Sequence, residues 1–387
     1  MSRRVRRLTI SGYKSIDRAE LDLSPVTVLV GPNGAGKTNF IEAVELLGRI
    51  ADGELGMEVG LRGGAVALLH DVAKGSAGLG LRVEATDSGH VIAYEATLVP
   101  SHRGELVFGR EVVESYAEAG DEPPLVREIG RGHSESRLGR IADDEPADAA
   151  EPSEAAEAAE VAEVARHTRE TLRGCRVYHF HDTTPGAPVK QPGYASDTEV
   201  LHPDARNLAA FLRRLGEEHP PAYEQIVRTV RSVAPFFRAF VLTEDAAGRV
   251  QLRWKQVGSD TVFPADALSD GTLRFICLAV LLLQPRPPAL LVLDEPELGL
   301  HPFALTVLAE LFRSASTHSQ ILAATQSVTL LDQFGLDELV VAEREDGSTR
   351  LRRPDPEELA AWLDSYSLGD LWLKNLLGGR PRPERER

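Results

Sequence analysis

The chain has 387 residues, of which 42% are hydrophobic and 26% are charged, and its formal net charge is -16 at pH 7. This length and apolar content predict a globular protein with one large hydrophobic core or two ordinary ones. It contains no apolar run of about 18 residues, as a membrane-spanning helix requires, and its start, MSRRVRRLTI, lacks the apolar core of a signal peptide. We therefore expect no membrane partner. Cys175 and Cys277 are far apart and have no metal-type spacing, which suits the reducing cytoplasm that we expect for this protein without excluding other compartments.

The negative charge is concentrated in one segment. Residues 111–165 contain 16 acidic and 4 basic residues, a balance of -12, which leaves about -4 for the rest of the chain. The total charge therefore says little about whether one folded face binds phosphates, because the distribution of charge decides that.

Residues 1–117 are predicted to form an N-terminal lobe. RRLTISGY and RAELDLSPVTVLV are interpreted as strands, and after the loop GPNGAGK the segment TNFIEAVELLGRI has the apolar spacing of a helix. LGLRVEATDSGHVIAYEATLVP alternates around a Ser-Gly turn, which predicts a β-hairpin that continues through ELVFGREVVESY. We expect these strands to form a small antiparallel subdomain beside the loop.

The loop GPNGAGKT, residues 31–38, matches the phosphate-binding pattern G-x-x-x-x-G-K-[ST] between an apolar strand and a helix. Its glycines let backbone N–H groups turn toward phosphate oxygens, and the helix start adds its positive dipole end. Lys37 is predicted to contact the β- and γ-phosphates and to take part in catalysis, and Thr38 is predicted to bind Mg²⁺. The residues predicted to bind nucleotide here are Asn33, Gly34, Ala35, Gly36, Lys37, Thr38 and Asn39.

Residues 118–165 are rich in Ala, Glu, Asp, Pro and Gly and contain few large apolar side chains. This composition predicts a partly disordered acidic insertion, although EPSEAAEAAEVAEVARHTRETL could form a solvated helix because Ala and Glu favour helices. A tolerated surface insertion and a regulatory or partner-binding arm are both compatible with the segment.

Residues 166–387 are predicted to form a helical segment and a C-terminal lobe. ARNLAAFLRRLGEEHPPAYEQIVRTVRSVAPFFRAFVL contains two helices, and RVQLRWKQ is a strand. A helix over 271–283 precedes the strand ALLVLDEP, a helix over 302–314, the strand QILAATQS, the hairpin LVVAEREDGSTRLRRP and a terminal helical segment. This alternation predicts an α/β fold with a mainly parallel, helix-covered sheet.

LLVLDEPELGLHP, residues 290–302, carries two adjacent carboxylates at the end of an apolar strand. Asp294 is predicted to hold the Mg²⁺ shell together with Thr38, and Glu295 to orient or deprotonate the attacking water of a phosphoryl transfer. An exposed acidic loop is the alternative, which the phosphate loop in the same chain disfavours.

The order of GPNGAGKTNF, LSDGT, LDEPELGLHP and ILAATQS resembles the heads of ABC-type ATPases. With GYKSI at residues 12–16, the chain more narrowly resembles the RecF/SMC-like AAA family of bacterial ATPases, which is related to the ATPase part of overcoming-lysogenization-defect proteins. The resemblance covers nearly the whole chain outside the acidic insertion. It implies a P-loop NTPase with ABC-type ATPase head architecture, and ATP and Mg²⁺ as cofactors.

The resemblance also implies that two heads stack head to tail around ATP. In such an ATP-dependent homodimer Ser269 and Gly271 touch the γ-phosphate that Lys37 of the second copy holds. Ser269 is also a good helix cap, so a cap in a monomer is the alternative. Asp270 and Gln326 depart from the transporter pattern, in which glycine and histidine stand at these places, and we expect slow turnover with Gln326 at the catalytic centre.

The sequence leaves open the roles of two further residues and of one segment. Lys14 either reaches the nucleotide phosphates, as the resemblance implies, or is a strand-end lysine in solvent. Arg274 is either an interface residue or a surface residue. The segment around His70 and Asp71 lies where the glutamine-containing loop of transporter ATPases is expected.

The resulting hypothesis is a Mg²⁺-dependent ATPase that closes as an ATP-bound dimer and acts as a slow switch in DNA repair, DNA maintenance or phage defence. The alternative is an ATP-gated scaffold or a regulatory subunit for a separate nuclease or effector. DNA binding follows only from the resemblance. The residues after Gln326 contain no spaced acidic cluster that predicts a nuclease, PELGLHP disfavours a transporter subunit, and long coiled-coil heptads are absent.

Overall fold

The computed structural model describes residues 3–70, 78–87, 89–118, 123–143 and 152–379. In chain order the strands are β1 (Arg4–Tyr13), β2 (Ile16–Asp22), β3 (Val26–Val30), β4 (Leu79–Asp87), β5 (His90–Pro100), β6 (Leu106–Ala117), β7 (Leu125–Gly130), β8 (Arg176–Tyr178), β9 (Gly193–Tyr194), β10 (Phe237–Val241), β11 (Arg249–Val250), β12 (Arg253–Gln256), β13 (Val262–Pro264), β14 (Leu290–Asp294), β15 (Gln320–Thr325), β16 (Leu339–Glu345) and β17 (Ser348–Arg352).

The helices are α1 (Lys37–Asp52), α2 (Leu55–Leu61), α3 (Ala65–Leu68), α4 (Leu138–Asp143), α5 (Pro152–Arg173), α6 (Leu208–Glu218), α7 (Pro220–Val233), α8 (Asp270–Leu283), α9 (Pro302–Ala315), α10 (Val328–Leu331), α11 (Pro356–Leu363) and α12 (Leu368–Leu373). None of the helices in the described ranges has the length and hydropathy that a bilayer-crossing helix requires.

The central sheet has the strand order β17-β16-β3-β15-β14-β8, in which β17 is antiparallel to β16 and every other neighbouring pair is parallel. β3, β14 and β15 are buried along their whole length, as expected for parallel strands covered by helices on both faces. Alternate side chains of β3 enter two different cores: Val28 and Val30 pack with the α8 and α9 side, and Leu29 packs with the α1 side. The carboxyl ends of these strands meet at one edge of the sheet, where the candidate site lies.

The second sheet is antiparallel, with the order β2-β1-β4-β5-β6-β7. The predicted antiparallel direction and the β4–β5 hairpin are confirmed, but this sheet is not small, because it has as many described strands as the central sheet. RAELDLSPVTVLV was expected to be one strand and is two: the chain leaves this sheet after β2 and enters the central sheet at β3. Ser24 and Pro25 make the break, since proline lacks the N–H that a continuous ladder needs.

The described part of residues 118–165 contributes regular elements to the N-terminal core. β7 pairs with β6, and α4 and α5 pack against α1. The helix expected in EPSEAAEAAEVAEVARHTRETL is present as α5, but it is not solvated all round, because Val161, Val164 and Leu172 are buried. The segment predicted to be partly disordered also includes residues 119–122 and 144–151, and these lie outside the described residues.

The C-terminal elements agree with the expected order, including the hairpin of β16 and β17. RVQLRWKQ was expected to be one strand, whereas β11 pairs with β9 and β12 pairs with β10 and β13. α8 is buried over most of its circumference, which explains why an almost wholly apolar helix follows the polar start LSDGT.

Candidate functional site

The phosphate loop lies between the carboxyl end of β3 and the start of α1. Gly34 and Gly36 have φ angles of 81° and 96°, which favour glycine. A Cβ atom on Gly36 would also lie 1.9 Å from Thr349 Oγ1, so the loop requires a glycine there on two grounds. α1 has no side-chain cap at Gly36, and its first N–H groups therefore face the cleft as donors for an anion.

A cleft of about 200 Å³ opens above this loop. Its lining residues are Pro32, Asn33, Gly34, Gly36, Lys37, Thr38, Asn39, Glu295 and Arg344. The buried Lys37 donates from Nζ to the carbonyl oxygens of Gly31 at 2.6 Å and Pro32 at 3.2 Å. Burial lowers the pKa of Lys37, and nearby carboxylates oppose this shift because they favour the charged ammonium. The cleft therefore combines backbone donors with a cation, which suits a polyphosphate.

Thr38, which lines the cleft, is hydrogen-bonded to Asp294. Thr38 Oγ1 donates to Asp294 Oδ2 at 3.2 Å, while the buried Asp294 Oδ1 has no hydrogen-bond partner. Burial raises the pKa of Asp294, and the hydrogen bond from Thr38 opposes the shift. A hydroxyl beside an unpaired carboxylate oxygen fits Mg²⁺, which takes one or two protein ligands and completes its shell with water and phosphate. The described residues contain no group of three or more His, Cys, Asp or Glu side chains that could hold a metal alone.

Glu295 is held in a strained conformation next to Asp294. Its φ of 45° lies in the left-handed region, which costs a residue with a side chain about 1–3 kcal/mol. The backbone N–H of Glu295 donates to Ala324 O at 2.9 Å, and Gln326 Nε2 donates to Glu295 Oε1 at 2.5 Å. Two of the three residues predicted to be catalytic, Glu295 and Gln326, are thus in direct contact, and Gln326 fixes the carboxylate of Glu295.

Glu297 is a site residue that sequence reasoning missed. Its Oε1 accepts hydrogen bonds from Thr325 Oγ1 at 2.6 Å and from the backbone N–H of Gln326 at 3.0 Å, while its Oε2 is buried without a partner. These bonds tie the loop after β14 to the end of β15, and so position Gln326. The second glutamate of DEPE is the local sequence signal for this role.

Ser269 and Gly271 do not line the cleft of their own chain. Ser269 is exposed and caps α8, accepting from the backbone N–H of Thr272 at 3.2 Å. A Cβ atom on Gly271 would lie 2.2 Å from Gly299 O, so this glycine is required by packing within the chain. The cap that was considered as the alternative is therefore present, and Ser269 and Asp270 at the start of α8 are exposed.

Gly271→Ala is expected to destabilise the fold by about 2 kcal/mol or more, because the added methyl group meets backbone that cannot move as a side chain does. Urea unfolding of the two proteins measures this change. Gly60→Ala is the matched control: Gly60 lies in α2 with no atom within 4 Å of the added methyl group, so stability should be unchanged or slightly higher. Equal stability of Gly271→Ala and wild type would contradict the packing argument.

Arg274 makes contacts within its own chain that the sequence did not indicate, and its role at an interface stays a prediction. Its guanidinium donates to His181 O at 2.8 Å, Leu298 O at 3.1 Å and Phe180 O at 3.2 Å, and so clamps the loop after β14 to the segment after β8. His181 Nε2 in turn lies 2.9 Å from Asp294 O.

His181 therefore lies at the carboxyl end of β14, whereas His70, in the segment where the glutamine-containing loop is expected, contacts the β1–β2 turn. His70 bonds through Nδ1 to Lys14 O at 2.5 Å, and Asp71 lies outside the described residues.

The turn between β1 and β2 positions the phosphate loop through Ser15. Asn39 Nδ2 donates to Ser15 Oγ at 2.7 Å, and Ser15 Oγ lies 2.7 Å from Thr349 Oγ1. Lys14, whose φ is 44°, pairs instead with Glu42 on α1. Lys14 is therefore not a lysine free in solvent, and its contact with the nucleotide phosphates stays a prediction.

Protein-family profiles match two parts of the chain. A profile described as "AAA domain, putative AbiEii toxin, Type IV TA system" matches residues 123–332, more than half of the chain. A second, described as an AAA ATPase domain, matches residues 4–52, which include the phosphate loop.

Curated proteins match over shorter stretches. An OLD nuclease from Thermus scotoductus is 40% identical over 43 residues, which are 11% of this chain and 8% of that protein. The DNA replication and repair protein RecF from Bifidobacterium adolescentis is 33% identical over 95 residues, which are 24% of this chain and 21% of that protein. The chain thus aligns with less than a quarter of either relative.

Solved structures show the same fold over nearly the whole chain. An Smc head bound to the C-winged helix domain of ScpA superposes with a TM-score of 0.57 at 15% identity, covering 92% of this chain and 99% of that one. An Smc head domain with a coiled coil and joint from Pyrococcus yayanosii gives 0.52 at 13% identity, covering 94% and 99%. The predicted α/β fold with ABC-type ATPase head architecture is confirmed.

Proposed function

The chain belongs to the AAA-domain family whose profile covers residues 123–332, and from this premise we propose that it is a Mg²⁺-dependent ATPase whose active site is completed by a second copy. The observation that carries the proposal is the unpaired Asp294 Oδ1 beside the Thr38 hydroxyl, below a cleft that contains Lys37. A buried carboxylate oxygen without a partner is costly, and a bound cation removes that cost.

Each residue of the cleft has a defined task in this proposal. Lys37 exchanges its bonds to the carbonyls of Gly31 and Pro32 for bonds to the β- and γ-phosphates of ATP. Thr38 and Asp294 hold Mg²⁺, which, when bound, neutralises charge on the phosphate oxygens. Glu295 accepts the proton of the attacking water.

The second copy is proposed to supply Ser269 and the backbone at Gly271. Both are outside the cleft of their own chain, and the start of α8 presents N–H groups that favour an anion. Asn33, which lines the cleft, is proposed to lie next to them in the closed homodimer. ATP between the two copies then acts as the contact that closes the dimer, and its hydrolysis opens it.

Turnover is proposed to be slow. The exposed carboxylate of Asp270 stands beside Ser269 and opposes closure onto a γ-phosphate. The bond from Gln326 occupies Glu295 Oε1, so that oxygen must be released, or the other one used, before water can be activated. The same contact favours a second candidate, an ATP-gated scaffold or regulatory subunit with little hydrolysis of its own.

The biological setting is proposed from the relatives. A RecF protein named for DNA replication and repair and an OLD nuclease share local sequence with this chain, which supports a role in DNA maintenance or phage defence. DNA, and a separate nuclease or effector, are accordingly the partners to be tested.

The proposed activity is tested by phosphate release from ATP with Mg²⁺ or with EDTA, each with and without duplex DNA. We expect Mg²⁺-dependent turnover at or below about 1 per second, the low end of ordinary enzyme rates. ATP binding without hydrolysis under any of these conditions would favour the scaffold. Hundreds of turnovers per second would contradict the slow switch, and absence of both binding and hydrolysis would contradict the nucleotide site itself.

A further inference from the structure

The hairpin of β16 and β17 forms a wall of the cleft that the phosphate-loop motif does not include. The backbone N–H of Thr349 on β17 donates to Ser15 O at 2.7 Å, and its Oγ1 lies 2.7 Å from Ser15 Oγ. Thr349 is fully buried, and its Oγ1 fills the space where a side chain at Gly36 would lie. The hairpin is therefore fixed directly against the loop.

Arg344 stands opposite Thr349 in this hairpin. Directly opposite residues of an antiparallel pair present their side chains on the same face. Because Thr349 faces the phosphate loop, Arg344 faces it too, and it lines the cleft with Asn33 and Asn39. Its neighbour Glu343 alternates to the other face, where it pairs with Arg352 at 3.4 Å.

The position of β16 decides which part of a nucleotide Arg344 meets. Glu295 follows β14, and Arg344 belongs to β16, with β15 and β3 between them. At about 4.8 Å per strand, these two strands are separated by roughly 14 Å. The γ-phosphate is proposed to lie beside Glu295 and Asp294, so Arg344 is at the end of the cleft that receives the α-phosphate and the nucleoside.

We propose that Arg344 is a nucleotide-binding residue that contacts the α-phosphate of the bound nucleotide. This inference rests on the proposed function, since it takes ATP as the occupant of the cleft. A guanidinium is suited to the task because its planar donors match phosphate oxygens and its charge does not titrate. ATP and ADP share the α-phosphate, and Arg344 binds both in the same way.

The inference is tested by the equilibrium binding of ATP and of ADP, measured by calorimetry, to wild type, Arg344→Ala, Arg344→Lys and Glu343→Ala. Arg344→Ala should weaken the binding of ATP and of ADP by the same factor, about tenfold or more, as expected for loss of a charge-assisted hydrogen bond. Arg344→Lys should be intermediate, and Glu343→Ala, on the opposite face of the same strand, should bind as wild type does. Thermal unfolding without nucleotide should be similar in all four proteins.

Three outcomes would overturn the inference. Unchanged affinity of Arg344→Ala for both nucleotides would remove Arg344 from the site. Loss of ATP affinity with ADP affinity retained would place Arg344 at the γ-phosphate. If wild type binds neither nucleotide, the proposed function fails together with the inference, whereas normal wild-type binding with either of the first two outcomes overturns the inference alone.

Discussion

Glu295→Gln is expected to lower ATP hydrolysis by about 10²- to 10⁴-fold, the usual contribution of a general base, while ATP still binds. The strained backbone at φ 45° and the contact with Gln326 hold the side chain in place, and glutamine has nearly the same shape. What it lacks is the basic carboxylate. Removing this negative charge also reduces repulsion of the γ-phosphate, so ATP should remain bound and the closed dimer should accumulate.

Phosphate release and light scattering check this prediction together. With ATP and Mg²⁺, Glu295→Gln should scatter as a dimer and should return to a monomer when ADP replaces ATP. Glu310→Gln is the control, because Glu310 is an exposed carboxylate on α9 that does not line the cleft. Wild-type hydrolysis by Glu295→Gln, or a monomer in the presence of ATP, would contradict the role assigned to Glu295.

Lys37→Ala is expected to weaken ATP binding by about 100-fold or more, since it removes two charge-assisted contacts to phosphate. Without nucleotide, the change should lower the free energy of unfolding only a little. Lys37 is buried and burial disfavours its charged form, so removing this charge offsets the loss of its hydrogen bonds. Calorimetry with ATP and urea unfolding without ATP measure the two effects. Lys374→Ala, at an exposed lysine after α12, is the control and should bind ATP as wild type does. Unchanged ATP affinity in Lys37→Ala would remove the phosphate loop from the proposal.

The parts of the site that the sequence predicted are those carried by contiguous residues. Three parts of the site each depend on a strand or helix boundary and the residues next to it: the loop from Gly31 to Thr38, the pair Asp294 and Glu295, and the cap at Ser269. The structure places all three where such boundaries require, and the comparisons confirm the predicted relationship to RecF/SMC-like AAA ATPases and to OLD proteins.

The parts that sequence reasoning missed depend on which strands are neighbours. Ser15 meets Asn39 and Thr349 only because the β1–β2 turn and the β16–β17 hairpin flank the same loop. Glu297 reaches Gln326 because β14 and β15 are adjacent. A single sequence does not show which strands are neighbours in the sheet, because the strands that pair lie far apart in the chain.

Composition also misled the interpretation of two elements. Averaging over residues 118–165 hid the apolar positions Val161 and Val164, which bury one face of an otherwise polar helix. Arg274 follows an exposed helix start and therefore looked like a surface or interface residue, yet three carbonyl oxygens within the chain accept its hydrogen bonds. In both cases the sequence shows that polar or charged groups are present. It does not show which part of the fold packs against the helix or accepts the hydrogen bonds of the arginine.

A mixing experiment tests most directly whether the active site is shared between two copies. Lys37→Ala lacks the phosphate contact, and Ser269→Asp keeps the helix cap but places a carboxylate toward the γ-phosphate, so each variant alone should hydrolyse almost no ATP. In an equal mixture half of the dimers are mixed, and each mixed dimer has one intact site. We expect the mixture to recover up to about one quarter of wild-type hydrolysis. Full activity of Ser269→Asp alone, or a mixture no more active than the two variants measured separately, would contradict it.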